Sequence, residues 1–186
     1  MGRPAKFDRD QILDAALTVT SEAGPGAVTI SAIANHLGAP SGSLYHRFAS
    51  RDLLLATLWI RTVHRFQEGF ATALDQNDPV TAALHTPRWC RHHLNEAKLL
   101  LLYRHQDLAT TWPTVLAPDL ETLNTRTTNA LTSYTSRNPN TTHEHLIFAT
   151  VDVPYGAVHR HLLKGNPPPP TVDDLITKTC QTVLKL

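Results

Sequence analysis

Between Gly38 and Arg51 the chain reads GAPSGSLYHRFASR, which sets hydroxyls (Ser41, Ser43, Tyr45), an imidazole (His46) and two guanidinium groups (Arg47, Arg51) close together. Hydroxyls, imidazoles and backbone N–H groups reach phosphate oxygens, and a guanidinium bonds bidentately to the O6/N7 edge of guanine. Gly42 and its small neighbours let a backbone approach a ligand closely. Leu44 and Phe48, interleaved with these polar groups, have no such use and must hold the segment to a core. The other reactive-looking clusters are weaker. In WCRHH, around Cys90, the neighbours His92 and His93 point about 100° apart on a helix, and no i, i+4 partner completes a metal site. His143 with His145, and His159 with His161, are spaced i, i+2 and share no helix face. No nucleophile, base and orienting group assemble, so neither catalytic residues nor a metal or cofactor are expected.

The elements that must position these residues are helices. Every long segment has helical periodicity, and Pro, Gly and Asn cluster between segments, so the fold class is all-α. Asp8 and Gln11 stand at capping-box spacing before the stripe Ile12, Ala15, Ala16 and Val19, and GPG at Gly24 stops that helix. Thr29 is a good N-cap for a second helix carrying Ile30, Ile33, Ala34 and Leu37 up to Gly38. The segment SLYHRF forms a third, and Ser50 caps a long fourth running from Arg51 towards QNDP. Short helices joined by a glycine-bearing turn make a helix-turn-helix, whose second member enters the DNA major groove. Ser41, Gly42, Ser43 and Arg47 then face base edges, while Tyr45 and His46 reach phosphates. Arg51, in the first turn of the long helix, would hold a phosphate beside the positive end of the helix dipole.

Bulk properties neither demand nor exclude this. The 186 residues carry 17 Lys+Arg against 16 Asp+Glu, so an argument for a polyanion partner has to be local. Through Arg51 there are five basic residues (Arg3, Lys6, Arg9, Arg47, Arg51) against four acidic ones (Asp8, Asp10, Asp14, Glu22), a weak footprint that favours two DNA-binding heads or a contribution from the N-terminal arm. Cys90 and Cys180 read as small buried hydrophobes in a reducing compartment. The longest apolar run, LLLLY from Leu99, is far too short to span a bilayer, and no secretory signal is evident, so a cytoplasmic protein is expected.

TISAIANHLGAPSGSLYHRFASRDLLL, with the preceding GRPAKFDRDQILDAALTVTSEAG, resembles the DNA-binding region of the TetR/AcrR family of bacterial transcriptional regulators. Thr29, Ile33-Ala34, Gly38, Leu44-Tyr45, Phe48 and a basic residue at Arg51 fall in register. Pro40 stands where a Ser is usual and Arg51 where a Lys is commoner. The resemblance implies a homodimer on a double-stranded DNA operator and a variable C-terminal domain that binds a small-molecule effector and relieves repression. It divides the chain into a DNA-binding domain at 1–51, with contacts from Arg3 and Thr29 as well, and an effector and dimerisation domain at 52–186. Within the latter, the aromatic set Trp59, Phe66, Phe70, Trp89, Tyr103, Trp112 and Tyr155 is the candidate pocket lining, since effector pockets are apolar cavities between helices.

The remaining pattern belongs to the C-terminal half. Helices are expected over 119–134, over 142–164 with Pro154 and Gly156 interrupting, and after GNPPPP from Thr171, with Asp174 completing a capping box. Their stripes, Ile147, Val151, Val158 and Leu162, then Ile176, Thr179 and Val183, suit a dimer interface. Two other functions compete with a ligand-responsive repressor: an effector-independent dimeric DNA-binding protein, and a helical metal-dependent enzyme. An enclosed cavity in the C-terminal domain discriminates against the former, and stoichiometric metal would favour the latter.

Overall fold

A computed structural model describes residues 7–102 and 113–186, so Arg3, Tyr103 and Trp112 lie outside the described residues. Among the described residues every regular element is helical. Helix α1 (Arg9–Ala23) opens with a complete capping box: the Gln11 N–H donates to Asp8 Oδ1 at 2.8 Å and the Asp8 N–H to Gln11 Oε1 at 3.0 Å. Thr29 caps α2 (Ile30–Leu37), its hydroxyl oxygen accepting from the Ala32 N–H at 3.0 Å. Gly38, at φ 60° and ψ 38°, then takes the left-handed turn that would cost any other residue strain and leads into α3 (Ser41–Tyr45). Ile12, Ala16, Ile33, Leu44 and Phe48 close a small core in which each is at most 1% exposed, the packing that Leu44 and Phe48 were expected to supply.

Helix α4 (Arg51–Asp75) is 25 residues long, about 37 Å at 1.5 Å per residue, and Ser50 caps it by accepting from the Leu53 N–H. It serves two cores. Leu54, Leu55 and Leu58 complete the N-terminal one, whereas Phe70, Ala71 and Leu74 belong to a second core with α5 (Pro79–His92) and the C-terminal helices. Leu99 of α6 (Leu94–Leu102) is also buried in the N-terminal core, so the packing does not break at residue 51. Pro87 does not break α5. The helix runs on past it, packed against α4 and the C-terminal helices, and turns only at His93.

The segment expected as one helix over 119–134 is divided into α7 (Ala117–Thr122) and α8 (Thr125–Arg137), because Leu123 turns inward to a patch with Ala56 and Ile60 of α4. The segment 142–164 comprises α9 (His143–Ile147), a π-helical turn over Phe148–Asp152, and α10 (Val153–Leu162). Pro154 has no N–H to offer the Thr150 carbonyl four residues back, and the wider turn accommodates that loss. Helix α11 (Thr171–Leu184) begins after Pro170 without a side-chain cap, so Thr171 is its first residue rather than the cap expected.

The expected dimer stripe requires correction. Val158 and Leu162 of α10 are 0% exposed and Ile176 of α11 is 1% exposed; all three face the chain's own interior. Ile147 and Val183 are half-buried against the second core, and Thr179 donates its hydroxyl to the Leu175 carbonyl. Only Val151 of that stripe is exposed. These helices bear apolar residues on two sides, and the stronger stripe is consumed within the chain. The outer side carries Phe148, Tyr155, Leu163 and Leu175 instead.

Candidate nucleic-acid interface and ligand cavity

Ser41, Gly42, Ser43, Tyr45, His46 and Arg47 are all exposed on and just after α3, one contiguous surface around its solvent side. Thr29 is exposed at the start of α2, and its capping bond uses the oxygen, leaving the hydroxyl proton to donate. Ser43 has the opposite polarity: its hydroxyl donates to the Pro40 carbonyl at 2.7 Å, which leaves lone pairs to accept. That bond does not replace the cap that Pro40 cannot supply, because it answers a carbonyl and not an N–H of the first turn. Arg9 lies over the Phe48 ring at 4.7 Å from its centroid, supporting the end of this surface from α1.

Arg51 does not join that surface as expected. Its Nε donates to the Val28 carbonyl and its Nη2 to the Pro25 carbonyl, both at 2.6 Å, while Nη1 pairs with Asp52 at 3.2 Å. The planar fork matches two carbonyls of the turn before α2, where a flexible ammonium would match one. Arg51 therefore ties the helix-turn-helix to the first turn of α4. A second tie lies further along α4, where Arg61 bonds Asp10 at 3.1 Å and Asp14 at 2.6 Å on α1.

A cavity of about 220 Å³ lies between the helices of the C-terminal half. From α4 it takes Trp59, Val63, Phe66, Gln67 and Phe70, which recur at helical spacing along one face. Thr86 of α5, Leu100 of α6 and Thr127 of α8 close its sides, and Thr150 and Val151 of the π turn complete it. Trp59, Phe66 and Phe70 thus line it as expected. Trp89 does not; it packs edge-on to Phe66 at 5.1 Å and borders only a neighbouring void of about 30 Å³. Tyr155 is excluded altogether, being 44% exposed and stacked on His159. The polar members were missed because a Gln or Thr within an apolar stripe reads as a solvent-facing position. Their one available signal was the helical register, since Gln67 follows Val63 by four residues.

Beneath the cavity, His85 of α5 donates its Nε2–H to the Phe66 carbonyl at 2.7 Å, and burial pushes its pKa down. Gly69 leaves room for that ring; a Cβ there would fall inside its van der Waals contact. Nearby, Glu96 of α6 is buried and receives Arg65 of α4 at 2.8 Å, which ties the two helices, and His93, three residues before it, at 3.0 Å. Burial raises the Cys90 and Cys180 thiols to about 12 and about 11, values that keep both protonated and unreactive.

Residues 12–58, from α1 into α4, match the bacterial regulatory proteins of the tetR family. No curated protein matches the sequence. Solved structures share the fold along nearly the whole length. The fatty acid degradation regulator FadR from Bacillus halodurans is 16% identical with a TM-score of 0.70, over 99% of this chain and 96% of that one. FadR from Bacillus subtilis, in complex with stearoyl-CoA, is 15% identical with a TM-score of 0.71, over 95% and 98%. AmtR from Mycobacterium smegmatis is 21% identical with a TM-score of 0.63, over 99% and 89%. At such identities the structural likeness concerns the fold, while the sequence match rests on the very helices that carry the exposed surface around α3. Among the described residues no helix is long and apolar enough to cross a membrane. Residues 12–58 are thus similar to the bacterial regulatory proteins of the tetR family, and the chain as a whole shares the fold of these solved structures.

Proposed function

We propose that this regulator is a cytoplasmic homodimeric repressor that leaves a palindromic operator when a small, largely apolar effector enters the cavity between α4, α5, α6 and α8. Ser41, Gly42, Ser43 and Arg47 face base edges in the major groove; Thr29, Tyr45 and His46 contact phosphates, and the arm bearing Arg3 adds a further cation. The observation that carries the reading is that the cavity and the head share two helices. Helix α4 lines the cavity from Trp59 to Phe70 and is tied to the helix-turn-helix through Arg51. Helix α6 puts Leu100 in the cavity wall and the adjacent Leu99 in the core of the head. An occupant that prefers one placement of these helices biases the separation of the two recognition helices, and only such a preference can change DNA affinity. The presence of a cavity favours this reading over a dimer that binds DNA without an effector, and the stearoyl-CoA bound to the Bacillus subtilis relative supports a ligand-binding role for the helical body.

The test is to select bound sequences from a random duplex pool, then to screen small molecules for release of the selected duplex. A palindromic consensus and at least one releasing compound are expected. A protein that selects no sequence is not a specific regulator, and one from which nothing in a broad screen releases the duplex is effector-independent.

A further inference from the structure

Two of the residues that line the cavity, Gln67 and Thr127, each carry a side-chain oxygen with no partner within the protein. Gln67 is 8% exposed and commits its amide Nε2 to Asn124 Oδ1 at 3.0 Å, which turns Oε1 away from that bond and leaves it buried without a hydrogen-bond partner. Thr127 Oγ1 is likewise buried without a partner. Asn124 and Thr127 are three residues apart at the start of α8 and so share a helix face, which brings the side chains of Gln67 and Thr127 to one side of the cavity. Buried acceptors are rarely left unanswered, because desolvation is uncompensated until a ligand or water completes the bond. Of the other two lining hydroxyls, Thr86 and Thr150, that of Thr150 is spent, donating to the Leu146 carbonyl at 2.7 Å.

The remaining surroundings restrict what can complete them. No Lys, Arg, His, Asp or Glu is among the lining residues, so a carboxylate or phosphate entering the cavity would find no counter-charge. Trp59, Phe66 and Phe70 offer aromatic faces and edges to a ring. The volume of about 220 Å³ exceeds the ~150 Å³ in which benzene is held in an apolar cavity, which scales to roughly nine non-hydrogen atoms.

We infer that the cavity takes a small neutral molecule of one aromatic ring bearing a hydroxyl, a phenol, whose O–H donates to Gln67 Oε1 while its oxygen accepts from Thr127. The regulatory consequence rests on the proposed reading of the cavity as the effector site; the ligand chemistry does not.

Calorimetric titration of the full chain with para-propylphenol, propylbenzene, para-propylanisole and para-propylbenzoate tests this directly. The phenol should bind about tenfold more tightly than the hydrocarbon and the anisole, the scale of one net hydrogen bond, and the benzoate should not bind. Gln67→Leu should erase the preference for the phenol and melt no lower than the parent chain, since it removes a buried unpaired oxygen and frees only the exposed Asn124 to water. Should that variant misfold, Gln67→Met and Thr127→Val make the same comparison. Equal binding of phenol and propylbenzene, preference for the benzoate, absence of binding by the whole series, or a phenol preference that survives both Gln67 and Thr127 substitution would each overturn the inference. A phenol site that depends on Gln67 but leaves operator binding unchanged keeps the ligand chemistry and removes the effector role. Operator release by charged compounds, with no phenol binding, keeps the effector role and removes this chemistry.

Discussion

Arg51 illustrates how a side chain of the right type can be committed elsewhere. At the first turn of a helix a guanidinium suits a phosphate, yet here it spans the carbonyls of Pro25 and Val28. Truncating Arg51→Ala should lower the unfolding free energy by about 1–3 kcal/mol, measurable by urea denaturation, because charge-assisted bonds to two carbonyls are lost. It should weaken operator binding through the loosened head while leaving the log–log salt slope unchanged. Arg47→Ala should instead relax preference at particular base pairs at roughly 1–3 kcal/mol, read by competition with operator variants. A salt slope that drops by about one for Arg51→Ala would return that residue to the phosphate contacts. His85 sets a pH dependence. Burial lowers its pKa from the ordinary 6.5, the Phe66 carbonyl opposes this, and His93 is the charge that adds to it. The unfolded chain therefore takes up the proton first as pH falls, so stability is complete above 6.5 and declines below it towards the depressed folded value. Urea midpoints measured across that range should show the decline, and His85→Gln should flatten it.

At the scale of elements, α4 and α6 are the parts that belong to both halves. Leu99→Ala opens a hole in the N-terminal core from a residue outside the helix-turn-helix, and should cost about 2–5 kcal/mol, seen as a lowered denaturation midpoint. Its more telling effect concerns coupling. If α6 carries the cavity's state to the head, this variant should bind a releasing compound with near-parental affinity while the release of DNA falls from the usual 5- to 150-fold range of such couplings, measured as the ratio of operator affinities with and without the compound. A parental ratio would leave α4 as the sole carrier. The π turn at Phe148–Asp152 has a related meaning, since the widening that Pro154 imposes presents Thr150 and Val151 to the cavity.

At the scale of the molecule, the described residues leave one apolar side of the π turn, α10 and α11 uncovered, with Phe148 48%, Tyr155 44% and Leu175 61% exposed. Helices of this length with such a face suit a two-fold four-helix contact, in which each copy presents the same patch. Leu175→Asp should therefore give monomers by light scattering with helix content retained, and operator affinity should fall because two heads no longer bind together. Ile176→Asp, one position away but buried in the chain's own core, should unfold it. If Leu175→Asp remains dimeric, the contact lies elsewhere. A dimer of this kind calls for half-sites centred about 34–36 Å apart or somewhat more, which footprinting of the selected duplex would measure.

The features that follow directly from the residues are local. Asp8, Thr29 and Ser50 cap helices because a side-chain oxygen three residues before an N–H can reach it whatever the rest of the chain does. Gly38 and the Leu44/Phe48 pair follow from the same short-range geometry, which is why the helix boundaries and core of the helix-turn-helix were legible. Tertiary structure decided matters that depend on distant partners. The carbonyls that hold Arg51 lie 23 and 26 residues away. Periodicity showed that α10 and α11 carry apolar residues, but not which of two apolar sides would meet the chain's own core, so Val158, Leu162 and Ile176 were assigned outward and Phe148 and Leu175 were overlooked. Gln67 is the clearest instance: its polarity argued for solvent, and only the packing of α8 against α4 buried it beside a cavity, with its oxygen unanswered.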